Sequence, residues 1–197
     1  PGTSDLLQFN ATSAIIVNNV KNETIGAIKI ISGTNSVAFA TNSTANVLTL
    51  SAATPLITSG GSILAADVLT INLSNAAAFN IASGTFGIAP GTGGKIIINS
   101  ALTLNGGTLD LDVAGTGGTI VTGSITYTSG SFNCVNSGAI TWTGTANYFH
   151  KYNGAGVSAI PASLWLTNST CTVKGMNSGV LAPTGFSGIE FANFTWD

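Results

Sequence analysis

The chain has 197 residues, of which only 12 are charged, and its formal net charge is −2. Gly, Ser, Thr and Asn together account for 91 residues, whereas 44% of the chain is hydrophobic, which is enough to form a core. The five cations are all Lys, so the sequence has no basic stripe that would bind the phosphates of a nucleic acid. The scarcity of charge also argues against an enzyme, and we expect no catalytic residues and no cofactor.

The hydrophobic residues do not form a membrane-spanning segment. Even in the uncharged stretch between Lys29 and Asp67, Ser, Thr, Asn and Gly interrupt the apolar residues every two or three positions. A spanning helix needs roughly 20 predominantly apolar residues, so we predict no membrane insertion. The chain begins at Pro1 without a signal peptide and ends in an apolar run, which is typical of a processed product or of a segment of a longer protein.

Short alternating runs dominate the chain in place of helical periodicity. They lie at 26–31, 46–50, 68–73, 101–104, 107–113, 124–128 and 139–143. A consecutive apolar-Thr-apolar triplet indicates a strand with one buried and one solvated face. Thr suits the solvated face because its branched side chain fits a pleated surface while its hydroxyl stays in water. The pattern predicts an all-β fold.

The spacing of these runs favours one all-β architecture over another. Ile30, Leu50 and Ile71 occupy equivalent places in three runs, at separations of 20 and 21 residues. A Gly-, Asn-, Ser- and Thr-rich repeat of this length predicts a parallel β-solenoid with roughly 20-residue coils. A β-sandwich is the alternative, since its strands also alternate apolar and polar residues and are separated by turns every 8–12 residues. We expect residues 1–197 to form a single solenoid unit.

The last quarter of the chain has a different composition. Aromatic residues concentrate there, at Trp142, Tyr148, Phe149, Tyr152, Trp165, Phe186, Phe191, Phe194 and Trp196. Residues 145–197 therefore form either an aromatic-rich end of the same solenoid or a distinct module. Two cysteines, Cys134 and Cys171, lie in strand-like runs and permit one disulfide or two buried thiols.

Four late motifs carry a resemblance to a known class of proteins. They are Tyr148–Asn153, Ile160–Trp165 with its Ile-Pro pair, Ser169–Gly175 around Ser-Thr-Cys, and Phe191–Trp196. In this order they resemble a pattern in large secreted and surface proteins of Bacteroidota, and the opening Gly2–Asn10 is similar to the start of such a unit. The resemblance implies a long, β-helical, adhesin-like protein exported by the type IX pathway. It implies no catalytic residues.

Asp110 and Asp112 are two residues apart in a predicted strand, so both carboxylates project from one face. Such a pair could bind Ca²⁺ or act in the cleavage of a polysaccharide. Neither an Arg nor a nearby Lys accompanies the pair, however. We therefore interpret the two residues as a solvated strand face that discourages edge pairing.

The aromatic residues around His150 suggest a glycan site. His150 is flanked by Tyr148 and Tyr152, and with Trp142 and Trp165 they could stack on sugar rings. The competing interpretation is structural, because a lone His often serves as a hydrogen-bonding residue and the Trp residues have apolar neighbours. A carbohydrate-binding module is thus an alternative function.

The ends of the chain show no capping pattern. A solenoid needs covered ends, because its terminal strands otherwise present open edges. Neither Pro1–Asn10 nor Phe191–Asp197 has the pattern of a capping helix. We expect both ends to be covered, by continuation of the same chain or by self-association end to end. The sequence thus predicts an extracellular or cell-surface structural protein, a unit of a fibre, adhesin or filament that contacts glycans or surfaces. The alternatives are a carbohydrate-binding module and a polysaccharide-active enzyme.

Overall fold

The computed structural model describes residues 2–52, 56–58, 60–74, 78–111, 118–134, 136, 138–154, 157–175 and 181–197. Within these ranges the chain forms twenty strands and no helix. The first ten are β1 (Leu6–Asn10), β2 (Ile15–Val17), β3 (Glu23–Ile25), β4 (Ala27–Ser32), β5 (Ser36–Phe39), β6 (Val47–Leu50), β7 (Leu56–Thr58), β8 (Ser62–Ala65), β9 (Thr70–Leu73) and β10 (Ala78–Ile81). The others are β11 (Thr85–Ile88), β12 (Lys95–Ile98), β13 (Ala101–Asp110), β14 (Gly118–Val121), β15 (Ser124–Asn133), β16 (Ile140–Trp142), β17 (Asn147–His150), β18 (Leu164–Trp165), β19 (Thr170–Val173) and β20 (Asn193–Trp196).

The strands stack into a β-solenoid with three faces. Face A consists of β1, β4, β7, β10, the first parts of β13 and β15, and then β17, β19 and β20. Face B consists of β2, β5, β8, β11 and the last parts of β13 and β15. Face C is the seven-stranded sheet β3-β6-β9-β12-β14-β16-β18, which marks seven successive coils.

Parallel pairing confirms the solenoid prediction. Each strand in the described part of the chain hydrogen-bonds in parallel to the strand one coil earlier or later. The β-sandwich alternative is wrong, because such a fold is built from antiparallel sheets. The pairing of β15 with β17 continues the stack across residue 145.

The coil length is most regular in the second half of face A. From β10 to β20, five successive pairings are offset by 23 residues, starting from Ala78 opposite Ala101. The three residues that suggested the repeat are not stacked on one another. Ile30 lies on face A, whereas Leu50 lies on face C opposite Leu73, and Ile71 lies opposite Leu48. The solenoid prediction is therefore confirmed, whereas the expectation that Ile30, Leu50 and Ile71 occupy equivalent places is wrong.

Inward side chains form continuous columns through the solenoid. One column of face A contains Ile28, Phe79, Leu102, Ile125, Tyr148 and Cys171, and a second contains Ile30, Ile81, Leu104, Tyr127, His150 and Val173. Face C contributes Ile25, Leu50, Leu73, Ile98, Val121, Trp142 and Trp165. All of these side chains are buried, so each coil covers the apolar surface of the last.

Glycine allows the longest strands to bend around the corner between faces A and B. Gly130 in β15 has a φ of +94°, and a Cβ atom there would lie 2.2 Å from the carbonyl oxygen of Gly107 one coil earlier. A side chain at this position would thus push adjacent coils apart. The corner needs glycine both for its backbone conformation and for the close stacking.

Polar side chains stack on the solvated side of face C. Asn72 donates to Thr49 Oγ1 at 3.4 Å, and Asn99 donates to Asn72 Oδ1 at 2.9 Å. Thr122 continues the series by donating to Asn99 Oδ1 at 2.6 Å. These bonds tie four successive coils together at the surface.

Candidate functional site

The predicted glycan residues come together, but they do so inside the solenoid. Trp142 and Trp165 stack face to face, with their ring centroids 4.7 Å apart and an angle of 5° between the rings. Tyr148 packs against Trp142 at 5.5 Å. The two tryptophans meet because β16 and β18 are adjacent parallel strands that place them in register.

A chain of hydrogen bonds runs through this cluster. The Tyr148 hydroxyl lies 2.9 Å from His150 Nδ1, and His150 Nε2 lies 2.9 Å from Ser158 Oγ. Both ring nitrogens of the imidazole are therefore satisfied within the core, one as donor and the other as acceptor. Burial lowers the pKa of His150 to about 4 and raises the pKa of Tyr148 well above its ordinary value. Both groups are therefore neutral at pH 7.

The buried position of these residues corrects the glycan-platform hypothesis. Trp142, Tyr148 and His150 have no exposed surface, and Trp165 is only 5% exposed. A sugar ring therefore has no access to their faces. Tyr152 is half-buried and packs against the core. The structural interpretation of this motif is the one that the geometry supports.

Of the two predicted carboxylate residues, the structure describes Asp110 and not Asp112. Asp110 lies at the end of β13 on the outer side of face B, opposite Gly87 in one direction and Asn133 in the other. Asp112 lies outside the described residues. Among the described residues, no three His, Cys, Asp or Glu side chains come close enough to hold a metal ion. The Ca²⁺ hypothesis therefore remains a prediction from the sequence.

Cys134 and Cys171 are both buried thiols, and no disulfide joins them. Cys134 donates to the carbonyl oxygen of Ala162, with 3.0 Å between Sγ and the oxygen. Cys171 takes the place of an aliphatic residue in the first column of face A, between Tyr148 and Phe194. Burial raises the pKa of Cys171 to about 12, so this thiol is a poor nucleophile.

A regular hydroxyl surface lies on the outside of face B. Five hydroxyl residues stand directly opposite one another in successive coils: Ser36, Ser62, Thr85, Thr108 and Ser131. Neighbouring strands in a sheet lie about 4.8 Å apart, so the hydroxyls form an evenly spaced row along the solenoid axis. We call this row the hydroxyl column. The column is not evident in the sequence, because its members lie 23 to 26 residues apart.

The last coil exposes a group of aromatic residues. Phe194 and Trp196 point inward along the two columns of face A, yet they are 41% and 56% exposed. Phe186 and Phe191 lie beside them, and the ring centroids of Phe191 and Phe194 are 5.1 Å apart. We call Phe186, Ile189, Phe191, Phe194 and Trp196 the tail floor. The alternation of Phe194 and Trp196 could have indicated inward positions in the sequence.

Comparisons with protein families, with curated proteins and with solved structures find no match to this chain. No helix long and apolar enough to cross a membrane occurs in the part of the chain that the structure describes.

Proposed function

We propose that this chain is a segment of an extracellular structural protein, a β-solenoid unit of a surface fibre, adhesin or filament. One observation carries the proposal: seven successive coils of a parallel β-solenoid share an apolar lumen and carry hydroxyl and amide side chains on the outside. Each coil covers the apolar surface of the one before it, so such coils form a long, regular stack.

The outer surface supports an adhesive role. Its side chains are largely hydroxyls and amides, and one Lys–Asp ion pair, Lys174 with Asp197, lies at its end. The hydroxyl column repeats one kind of hydrogen-bonding group along the solenoid axis. Such a row can make many equivalent contacts with a glycan or a solid surface, and weak contacts add up when they act together.

Immunogold labelling tests the location. An antibody raised against the 197-residue chain should label the cell surface or extracellular fibres of the source cells. Labelling confined to the cytoplasm would contradict the proposed function.

Adhesion can be tested on the hydroxyl column. The double variant with Thr85→Glu and Thr108→Glu places two negative charges where two hydroxyls stood in the middle of the row. It should reduce the retention of the purified chain on glycan-coated and abiotic surfaces by at least threefold. The matched control carries Glu at Thr103 and Thr126, which are the equivalent outward positions of face A. Equal retention of both variants would argue against a role for the hydroxyl column.

A further inference from the structure

A shallow groove lies on the outside of face C, across the adjacent strands β12, β14 and β16. Its volume is about 220 Å³, which is below the roughly 300–1,000 Å³ of pockets for drug-sized ligands. Neighbouring strands lie about 4.8 Å apart, so three strands extend the groove over about 10 Å along the solenoid axis. These dimensions suit one ring-sized group.

Two glycines leave this groove open, and the fold requires neither of them. Apart from its chain neighbours, a Cβ atom at Gly118 would approach only the carbonyl oxygen of Ala139, at an ordinary 3.7 Å, and one at Gly138 would meet nothing within 4 Å. Neither glycine has a φ in the left-handed region. At Gly94 and Gly123, by contrast, a Cβ atom would lie 2.4 and 2.1 Å from a carbonyl oxygen of the neighbouring coil. Neither backbone conformation nor coil stacking therefore accounts for the two glycines in the groove.

Strand register places four side chains around the open position. Lys95 lies directly opposite Gly118, and Ile97 lies directly opposite Ile120. Thr141 follows Ile120 one coil later. Ile120 is 45% exposed, and Ile97 is half-buried. The groove thus has aliphatic surface along one side, an ammonium group near one end and a hydroxyl group at the other.

The charge of the groove is positive. Lys95 is exposed, and within the part of the chain that the structure describes its ammonium group forms no ion pair. Of the described residues that line the groove, none is acidic. A positive charge beside exposed aliphatic surface complements an occupant that carries both a carboxylate and C–H groups.

The shape of the groove favours a sugar over a peptide or an acyl chain. β12, β14 and β16 are each paired with a neighbouring strand on both sides, so the groove offers no strand edge to an extended peptide. An acyl chain needs a pocket that encloses it, whereas this groove is short and open to solvent. A sugar ring has an apolar C–H face for the two isoleucines and hydroxyls for Thr141.

We propose that this groove binds a uronic acid, a sugar that carries a carboxylate, as one unit of an acidic polysaccharide. The Lys95 ammonium group donates to the carboxylate, Ile97 and Ile120 pack against the C–H face of the ring, and Thr141 hydrogen-bonds to a ring hydroxyl. The proposal rests on the proposed function, because it names the class of glycan that an extracellular solenoid of this kind contacts.

Isothermal titration calorimetry of the purified 197-residue chain with trigalacturonate tests the proposal. The galactose trimer of the same linkage, in which a CH₂OH group replaces each carboxylate, should bind at least tenfold more weakly. Lys95→Gln should weaken the binding of trigalacturonate at least fivefold, because it removes the ammonium group. Lys29→Gln is the matched control, since it removes the same charge from face A, and it should change the binding less than twofold.

Filling the groove gives a second test. The structure accommodates a Cβ atom at Gly118, so Gly118→Val should keep the wild-type circular dichroism spectrum while its side chain occupies the place of the sugar ring. It should weaken the binding of trigalacturonate at least tenfold. Thr103→Val places the same side chain on the outside of face A and should leave the binding unchanged.

Any of three results would overturn the proposal. They are a chain that does not bind trigalacturonate, equal binding of trigalacturonate and the neutral trimer, and a Lys95→Gln or folded Gly118→Val variant that binds as the wild type does. Equal binding of triglutamate would also overturn it, because the groove would then recognise charge without the sugar ring. Extracellular labelling together with one of these results refutes this inference alone, whereas cytoplasmic labelling of a chain that binds trigalacturonate refutes the proposed function alone.

Discussion

The lumen of the solenoid is lined largely by hydrocarbon side chains in its middle coils and by polar aromatic side chains in its later ones. In the middle coils the inward columns contain residues such as Leu102, Leu104 and Ile98, which have no polar atoms. In the later coils the same columns contain Tyr148, His150 and other residues that bring hydroxyl and ring nitrogen atoms into the core.

The difference shows what aliphatic and polar side chains each require in order to be buried in a stacked column. An aliphatic coil needs only shape and burial, whereas a buried polar atom also needs a hydrogen-bond partner. The segment between β17 and β18 supplies such partners, because Ser158 bonds to His150, and Ser163 accepts from Trp142 Nε1 at 2.9 Å. His150 and Trp142 in the later coils therefore depend on this segment. Among the described residues, Trp165 Nε1 and the hydroxyls of Ser100 and Thr119 are buried without such a partner.

Of the changes considered, truncation of Trp142 should lower the free energy of unfolding the most. Trp142→Ala removes a fully buried ring that stacks on Trp165, and we expect the free energy of unfolding to fall by about 3–5 kcal/mol. Ile98→Val, in the same column among aliphatic coils, should cost about 0.5–1.5 kcal/mol. Urea denaturation followed by circular dichroism measures both. Equal losses would contradict the full burial of the Trp142 ring.

Acid should destabilise the later coils through His150. The pKa of His150 is about 4 in the folded chain and about 6.5 when unfolded, so the unfolded chain binds the proton first as the pH falls. Stability should be complete above pH 6.5 and should fall by about 3 kcal/mol as the pH drops to 4.

The variant His150→Leu separates this effect from the titration of carboxylates. Its stability should change less between pH 6.5 and 4 than that of the wild type, by roughly the same 3 kcal/mol. The measurement is the urea midpoint at a series of pH values. Parallel pH profiles for the two proteins would show that the imidazole is not buried as described.

Loss of a single hydrogen bond should have a smaller effect. Ser158→Ala leaves His150 Nε2 buried without its partner and should cost about 1–2 kcal/mol. Ser124→Ala, on the outward side of face A, should cost less than about 0.5 kcal/mol. A loss of stability no greater in Ser158→Ala than in this control would mean that water or another group replaces the serine hydroxyl.

The smallest expected effect concerns the cysteines. It is a difference in thiol reactivity between the native and the denatured chain rather than a change in stability. Both thiols are buried, so a thiol reagent should label neither in the native chain and two per chain after denaturation. Rapid labelling of native protein would contradict the burial of Cys171 in the column. Fewer than two thiols after denaturation would indicate a disulfide.

The alternation of apolar residues and Thr was sufficient to predict strands with one buried face, because such strands leave a period of two in the sequence. The choice of a solenoid over a β-sandwich depended on the spacing of these runs. The phase of the repeat was not predictable from the same pattern. Ile30, Leu50 and Ile71 are all inward residues, and alternation does not distinguish an inward residue of face A from one of face C. The coil length becomes visible only when strand register is known.

The sequence left two interpretations of the aromatic cluster open, a sugar-binding surface and a buried core. Tyr148, His150 and Trp165 have side chains that suit a sugar-binding surface as well as a core. Their location depends on partners distant in sequence, such as Ser163 for Trp142. The tail floor and the hydroxyl column likewise arise from residues that only the stacking brings together.

Diffraction from the exported material tests whether this chain belongs to an extracellular stack of parallel coils. Filaments labelled by the antibody should be oriented, and their diffraction recorded along the filament axis. We expect a reflection near 4.8 Å along that axis, because the strands of adjacent coils are stacked along it. Labelled filaments without this reflection, or labelled material without filaments, would contradict the account.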